Sequence, residues 1–325
     1  MTESVEELQK EVEFQLSQLD FPQQPESLYD PLRYMLSLGG KRIRPILVLL
    51  ANDLFSGKRE NAMPAALAVE VFHNFTLLHD DIMDKAPLRR GKPTVHQKWN
   101  SNIAILSGDA MFVKSCQLIT QTPITAMPAV MNLFLKTALE VCEGQQYDMD
   151  FESRNDIEID EYIEMIKLKT AVLVGACLGI GAQIAGAKEE EENHIYDFGV
   201  NLGIAFQLQD DILDVYGNEQ KFGKQVGGDI IANKKTFLLL SALKNASGQT
   251  AIELQKWLAY DGSDNASKVE AVKNIYETLH VKECAEKKMD ELYAEAISHL
   301  DALPINQQRT AALRKLSSML MLRES

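Results

Sequence analysis

The 325-residue chain is poor in the residues that build sheets and disulfide frameworks. Its 18 glycines and 10 prolines fall below average usage for this length, and aromatics reach only 7%, a balance that favours helices over a β-sandwich or an α/β sheet. Cysteine is scarce too: Cys116, Cys142, Cys177 and Cys284 stand far apart, with no CxxC spacing for zinc, so reduced, buried thiols are expected. No uninterrupted apolar run reaches the roughly 18 to 20 residues that span a bilayer. The nearest, from Ala171 to Ala182, has the length of a helix buried in a bundle, so no transmembrane segment is expected. The start, Met1 to Glu7, lacks the basic and apolar regions of a signal peptide, which predicts a soluble cytoplasmic protein. Positive charge is in deficit: 33 Lys and Arg face 47 Asp and Glu, and a net charge of -14 argues against nucleic acid as a partner.

What is present is 46% hydrophobic residues, enough to bury a large core. Helical periodicity recurs along the chain, broken only briefly at Phe21–Pro25, Ser56–Lys58, Pro87–Pro93, Thr122–Pro123 and Asp261–Ser263. None of these breaks has the composition of an interdomain linker. The expectation is an all-α fold, one large domain over residues 1–325 with ten or more helices.

One short motif occurs twice. Asp80-Asp81-Ile82-Met83-Asp84 and Asp210-Asp211-Ile212-Leu213-Asp214 both read DDxxD inside apolar helical sequence. At about 100° per residue, the three carboxylates of each motif share one stripe of a helix. Like charges so placed repel, and no basic residue on the same turns neutralises them. Carboxylates without His or Cys neighbours suit a hard cation, and Mg²⁺ typically takes one or two of them together with water and substrate phosphate. Metal ligands are therefore expected among Asp80, Asp81, Asp84, Asp210, Asp211 and Asp214, and a diphosphate as substrate. A solvated helix face is the plain alternative for either motif alone; the second copy weighs against it.

Two cationic motifs accompany the acidic ones. Arg89-Arg90-Gly91-Lys92-Pro93 lies on a loop just after the first DDxxD, where paired guanidinium groups can fork onto phosphate oxygens. Gly39-Gly40-Lys41-Arg42-Ile43-Arg44-Pro45 sets three cations after a diglycine turn and implies a second anion site. Read alone, that cluster is as well explained by a solvated loop. The P-loop pattern GxxxxGK[ST] is absent, which weighs against nucleotide hydrolysis.

With these residues in view, the chain resembles the trans-isoprenyl diphosphate synthases, the polyprenyl synthetase family. The likeness rests on Gly39 to Pro45, His73, Asp80 to Asp84, Arg89 to His96, Gly108-Asp109, Lys169-Thr170 and Phe206 to Asp214. Gly223-Lys224, Asp229-Ile230 and Asn233-Lys234 complete the set, all in family order. The resemblance implies a helical bundle around a deep central cavity, of the type I isoprenoid synthase kind, working as a homodimer. The two aspartate helices would face one another across the cavity mouth, with several Mg²⁺ ions between them. The matching positions assign the allylic diphosphate to Asp80, Asp81, Asp84 and Asp210 with Arg89, Lys169, Lys224 and Lys234. Isopentenyl diphosphate falls to Lys41, Arg44, His73 and Arg90, while Thr170 and Gln207 would set oxygen dipoles beside the allylic cation. Gln207 could equally serve a buried polar network, and His73 on an apolar helix could be a core residue.

The implied reaction is ionisation of the allylic diphosphate followed by attack of the isopentenyl double bond, the released diphosphate removing the proton. Product length in the family depends on bulk four and five residues before the first aspartate. Here these are Thr76 and Phe75, with Phe72 one turn deeper. A single aromatic at the fifth position resembles geranylgeranyl synthases, with farnesyl diphosphate as the alternative product; ordinary core packing also accounts for Phe72 and Phe75. The C-terminal tail is less basic than in relatives that close over isopentenyl diphosphate, and Arg323 is left out of the expected site. A terpene cyclase would replace the second motif and need no Lys41, Arg44 or Arg90. A noncatalytic subunit of a heteromeric synthase would lack one acidic motif, and an intramembrane prenyltransferase would need spans this chain lacks.

Overall fold

A computed structural model describes residues 5–217 and 227–321. Lys224, with Gly223, and Arg323 lie outside the described residues. Of the four cysteines only Cys177 is buried, while Cys142 and Cys284 are exposed, which corrects the expectation of buried thiols. Among those described, the only strands are the two-residue pieces Leu88–Arg89 (β1) and Lys92–Pro93 (β2), as an all-α fold requires. The chain divides into two compact units. The first comprises Met1–Lys136, Ala176–Tyr196 and Pro304–Leu313, the second Thr137–Gly175, Asp197–Leu303 and Arg314–Ser325.

The first unit is built around α4 (Arg59–Met83), whose middle, Ala65 through Phe72, is buried and apolar but for Glu70. A helix without a polar face must be covered on every side. Here α1 (Val5–Ser17), α2 (Glu26–Ser37), α3 (Ile43–Leu54) and α6 (Ser101–Ile119) cover it, and the turn α5 (Val95–Lys98) leads into α6. Helix α6 starts at Asn100, whose side chain accepts from the Ile103 amide at 2.9 Å and satisfies an otherwise orphan donor. It approaches α4 closely because Gly108 lies against the His79 ring, where a Cβ would collide.

Parts of α7 (Met127–Ser153), α9 (Val172–Ala185), α10 (Glu189–Tyr216) and the last helix, Gln307–Met321, contribute to the second unit, with α8 (Ile159–Ile166) and the helices between Gly228 and Ala302. Helix α8 opens on a capping box between Glu158 and Glu161. It then passes through a single π turn, Lys167–Ala171, into α9. The continuous stretch Ile159–Ala185, at 27 residues and a mean hydropathy of 1.6 over its most apolar window, is long and apolar enough to cross a membrane by length and composition alone. The uninterrupted apolar run is short, but the helix carries on through Lys167 and Lys169. Of that window 61% is buried inside the protein, the condition of a core helix.

Candidate active site

In the first unit the site grows out of the C-terminal half of α4. His73, Asp80 and Asp81 lie on the helix, and Asp84 is its C-cap, its amide donating to the Asp80 carbonyl at 2.8 Å. Exposure is graded along the DDxxD stripe: Asp81 is buried, Asp80 half-buried and Asp84 exposed. Asp81 has a partner within the protein. Arg89 donates from Nε to both carboxylate oxygens at 2.9 Å and pairs through its terminal nitrogen at 2.7 Å. Such a forked contact holds the guanidinium and the carboxylate in one geometry.

Arg89 comes from a β-hairpin in which Leu88 faces Pro93 and Arg89 faces Lys92. Its two turn residues, Arg90 and Gly91, both have positive φ, 53° and 72°, the pattern of a tight two-residue turn. Tyr34 of α2 anchors the hairpin by donating from its hydroxyl to the Pro93 carbonyl at 2.7 Å. The turn delivers the Arg90 guanidinium to the Gly39 carbonyl. A Cβ at Gly40, where φ is +141°, would lie 2.8 Å from an Arg90 nitrogen, so Gly40 packs directly against the arginine.

Arg42 takes the left-handed conformation at the start of α3 and turns inward, pairing with buried Glu70 at 2.6 Å and donating to the Leu36 carbonyl at 2.8 Å. Glu70 also accepts from the Asn74 amide at 3.1 Å. Arg44, two residues on, lies 3.1 Å from His73 Nε2. A guanidinium only donates, so Nε2 is the acceptor and the proton of the neutral ring sits on Nδ1. Burial, and then the charges of Arg44, Arg90, Arg89 and Arg42, hold His73 well below the ordinary histidine range. Burial likewise lowers the Arg44 guanidinium. The structure thus gathers His73, Arg44, Arg89 and Arg90 into one electropositive corner; Lys41 is exposed beside it.

Below this corner the expected length-controlling residues join an aromatic cluster. Phe72 lies 5.6 Å from Phe75, 6.0 Å from Phe112 and 5.3 Å from Phe134 between ring centroids, and Phe75 lies 5.6 Å from Phe112. Thr76 turns its hydroxyl back to the His73 carbonyl at 2.9 Å. Sequence reasoning missed Phe112 and Phe134. Phe112 was within reach, one helical turn after the Gly108-Asp109 pair.

In the second unit the acidic stripe of α10 is graded in the same way: Asp211 is buried and Asp210 and Asp214 less so. Asp211 accepts from the buried Tyr162 hydroxyl and, at 3.4 Å, from the Phe237 amide. Burial pushes its carboxyl up to about 7, against the downward pull of Tyr162. Asp214 accepts from the Asp229 amide at 2.9 Å, which ties down the short helix Gly228–Ile231. Lys169 pairs with Asp148 at 2.6 Å, and the Thr170 hydroxyl is 3.5 Å from Gln207 Oε1. The Gln207 amide is 3.5 Å from Asp211, so Gln207 does join a polar network. Lys234 is exposed just beyond that short helix. Tyr162 and Asp148 are further site residues with no signal in the acidic or basic motifs, while Asp229 belongs to the set that carried the family resemblance.

Among the described residues, no group of three His, Cys, Asp or Glu side chains is assembled to hold a metal ion. In each motif the middle aspartate is engaged by Arg89 or Tyr162, and the first and last are the more exposed. That donor set, one or two carboxylates per helix and no nitrogen or sulfur, fits an ion that keeps water and takes phosphate.

The polyprenyl synthetase family model matches residues 25–279. The chain is 45% identical over 221 residues, 67% of either protein, to a geranylgeranyl diphosphate synthase of Sulfolobus acidocaldarius. It is 36% identical over 305 residues to a geranylfarnesyl diphosphate synthase of Natronomonas pharaonis, covering 88% of this chain and 87% of that protein. A crystal structure of a geranylgeranyl pyrophosphate synthase superposes with a TM-score of 0.95 at 44% identity over all of both chains.

Proposed function

Because the chain belongs to the polyprenyl synthetase family, we propose that it is a prenyltransferase joining isopentenyl diphosphate head to tail onto allylic diphosphates, with geranylgeranyl diphosphate as product. The observation that carries the reading is the layout of α4. Neutral His73, held by Arg44, lies seven residues before Asp80, about 10 Å along the axis. One helix therefore presents a cationic pocket and an acidic stripe side by side, as two diphosphates of different binding mode require.

In this reading Lys41, Arg44, His73 and Arg90 receive isopentenyl diphosphate. Asp80 and Asp84 of the first unit, with Asp210 and Asp214 of the second, hold Mg²⁺, while Asp81 and Asp211 position Arg89 and Tyr162. Mg²⁺ bound there supplies the positive charge that stabilises the departing diphosphate as the allylic carbon–oxygen bond ionises. Arg89, Lys169 and Lys234 add fixed charge toward the same group, with Lys224 as a further candidate. Thr170 and Gln207 turn oxygen dipoles toward the cation. His73 accepts a hydrogen bond from Arg44 and so is not the base that removes the product proton.

Phe75 with Thr76 supports a twenty-carbon limit. The two units work as one catalytic domain, in a cytoplasmic homodimer. Incubation with isopentenyl diphosphate, each allylic primer and Mg²⁺, followed by sizing of the extracted products, tests the whole reading. A twenty-carbon product is expected, a fifteen-carbon end point would shift the assignment to the farnesyl alternative, and no elongation with any primer would sink it.

A further inference from the structure

Lys169 and Thr170 lie in the one π turn of the described chain, Lys167–Ala171. A π turn adds a residue to one helical turn, which widens the helix and demands space from its neighbours. In the second unit two glycines on different helices provide that space. A Cβ built on Gly144 would overlap the Lys169 amide nitrogen and come within 2.7 Å of the Leu168 carbonyl carbon. One built on Gly203 would come within 2.7 Å of Ala171 Cα and 2.8 Å of its Cβ. One helical turn beyond each glycine, on the same stripe, stands a polar residue that grips the bulge. Asp148 takes the Lys169 ammonium at 2.6 Å, and Gln207 Oε1 takes the Thr170 hydroxyl at 3.5 Å.

We propose that Gly144 with Asp148 and Gly203 with Gln207 form a two-sided clasp whose glycines are positioning residues, fixing the π turn so that Lys169 and Thr170 meet the allylic substrate. The inference rests on the prenyl-transfer reading for the substrate's identity, and on the geometry of the second unit alone for the clasp. Either glycine is the notch that admits the widened turn, and the polar residue after it sets the direction of one functional side chain. Packing alone would explain two glycines; it would not explain why each is followed, at the same interval, by the partner of a different bulge residue.

The test uses the full chain carrying Gly144→Ala, Gly203→Ala or Asp148→Asn, with steady-state kinetics for each substrate and amide hydrogen exchange over residues 167–171. The expected result is a rise of about tenfold in KM for the allylic diphosphate, equal to about 1.4 kcal/mol. The KM for isopentenyl diphosphate should stay within about twofold, and exchange should quicken at the π turn in both glycine variants. The pair Gly203→Ala with Ala171→Gly removes one of the two Ala171 atoms that the new methyl strikes, Cβ but not Cα, and should recover part of the lost affinity. Asp148→Asn adds no bulk, so it keeps the test open if Gly144→Ala does not fold. Equal losses for both substrates, or unchanged kinetics and exchange in Gly203→Ala and Asp148→Asn, would overturn the clasp. A wild-type protein without turnover would instead overturn the prenyl-transfer reading and leave hydrogen exchange to judge the clasp.

Discussion

Phe75 and Phe112 stack with centroids 5.6 Å apart, so removing either ring opens the same space beside Phe72. Phe75→Ala and Phe112→Ala should each lengthen the product by at least one five-carbon unit, and the double variant further than either. Chromatography of the extracted products checks this, and an unchanged length distribution in the double variant would remove the cluster from control of length. His73 carries a pH prediction. Its folded-state value lies well below the ordinary 6.5, so below about pH 6.5 the unfolded chain binds the extra proton and stability falls as the pH drops. His73→Gln should therefore lose less stability than the wild type between about pH 7.5 and pH 5 in urea titrations, and equal losses would contradict the buried neutral ring. At this scale the charged motif residues were legible because their chemistry is written in their type and spacing. The grip of Arg89 on Asp81 and of Tyr162 on Asp211 was not, since a carboxylate's partner 8 or 49 residues away leaves no local trace.

The hairpin from Leu88 to Pro93 and the π turn from Lys167 to Ala171 each deliver cations, and neither follows from helical periodicity. Pro87, Gly91 and Pro93 mark the first as a loop. The tight turn needs Arg90 in the left-handed region, where arginine is a poor fit compared with Asn or Asp. The cost of that conformation, about 1 kcal/mol or more, is offset by contacts made far away, at Tyr34 and at the diglycine loop. Gly40→Ala tests this coupling. A Cβ there would meet the Arg90 guanidinium, and the backbone angle of +141° is itself unsuited to alanine. The variant should raise the KM for isopentenyl diphosphate by about tenfold, roughly 1.4 kcal/mol, and leave the KM for the allylic substrate nearly unchanged. An equal rise for both would separate Gly40 from the isopentenyl pocket.

At the scale of the whole molecule, α6 leaves Leu106 (60% exposed) and Val113 (56%) seven residues apart on one stripe. If the proposed homodimer forms through α6, this stripe is the surface that the second copy would cover. Leu106→Glu with Val113→Glu should convert a dimer to monomers in sedimentation velocity, and a wild-type protein that sediments as a monomer would contradict the dimer. Helical content, the paired DDxxD stripes and the arginine motifs could all be read from the chain, because a helix repeats its register every few residues and charge is a property of each side chain. Which aspartate is buried against a distant partner, which arginine reaches the anion loop and which phenylalanines share a floor were decided only when distant segments packed together. Those outcomes depend on close approach between residues such as Gly40 and Arg90, or Gly144 and Lys169, and steric fit between remote positions has no periodicity to read.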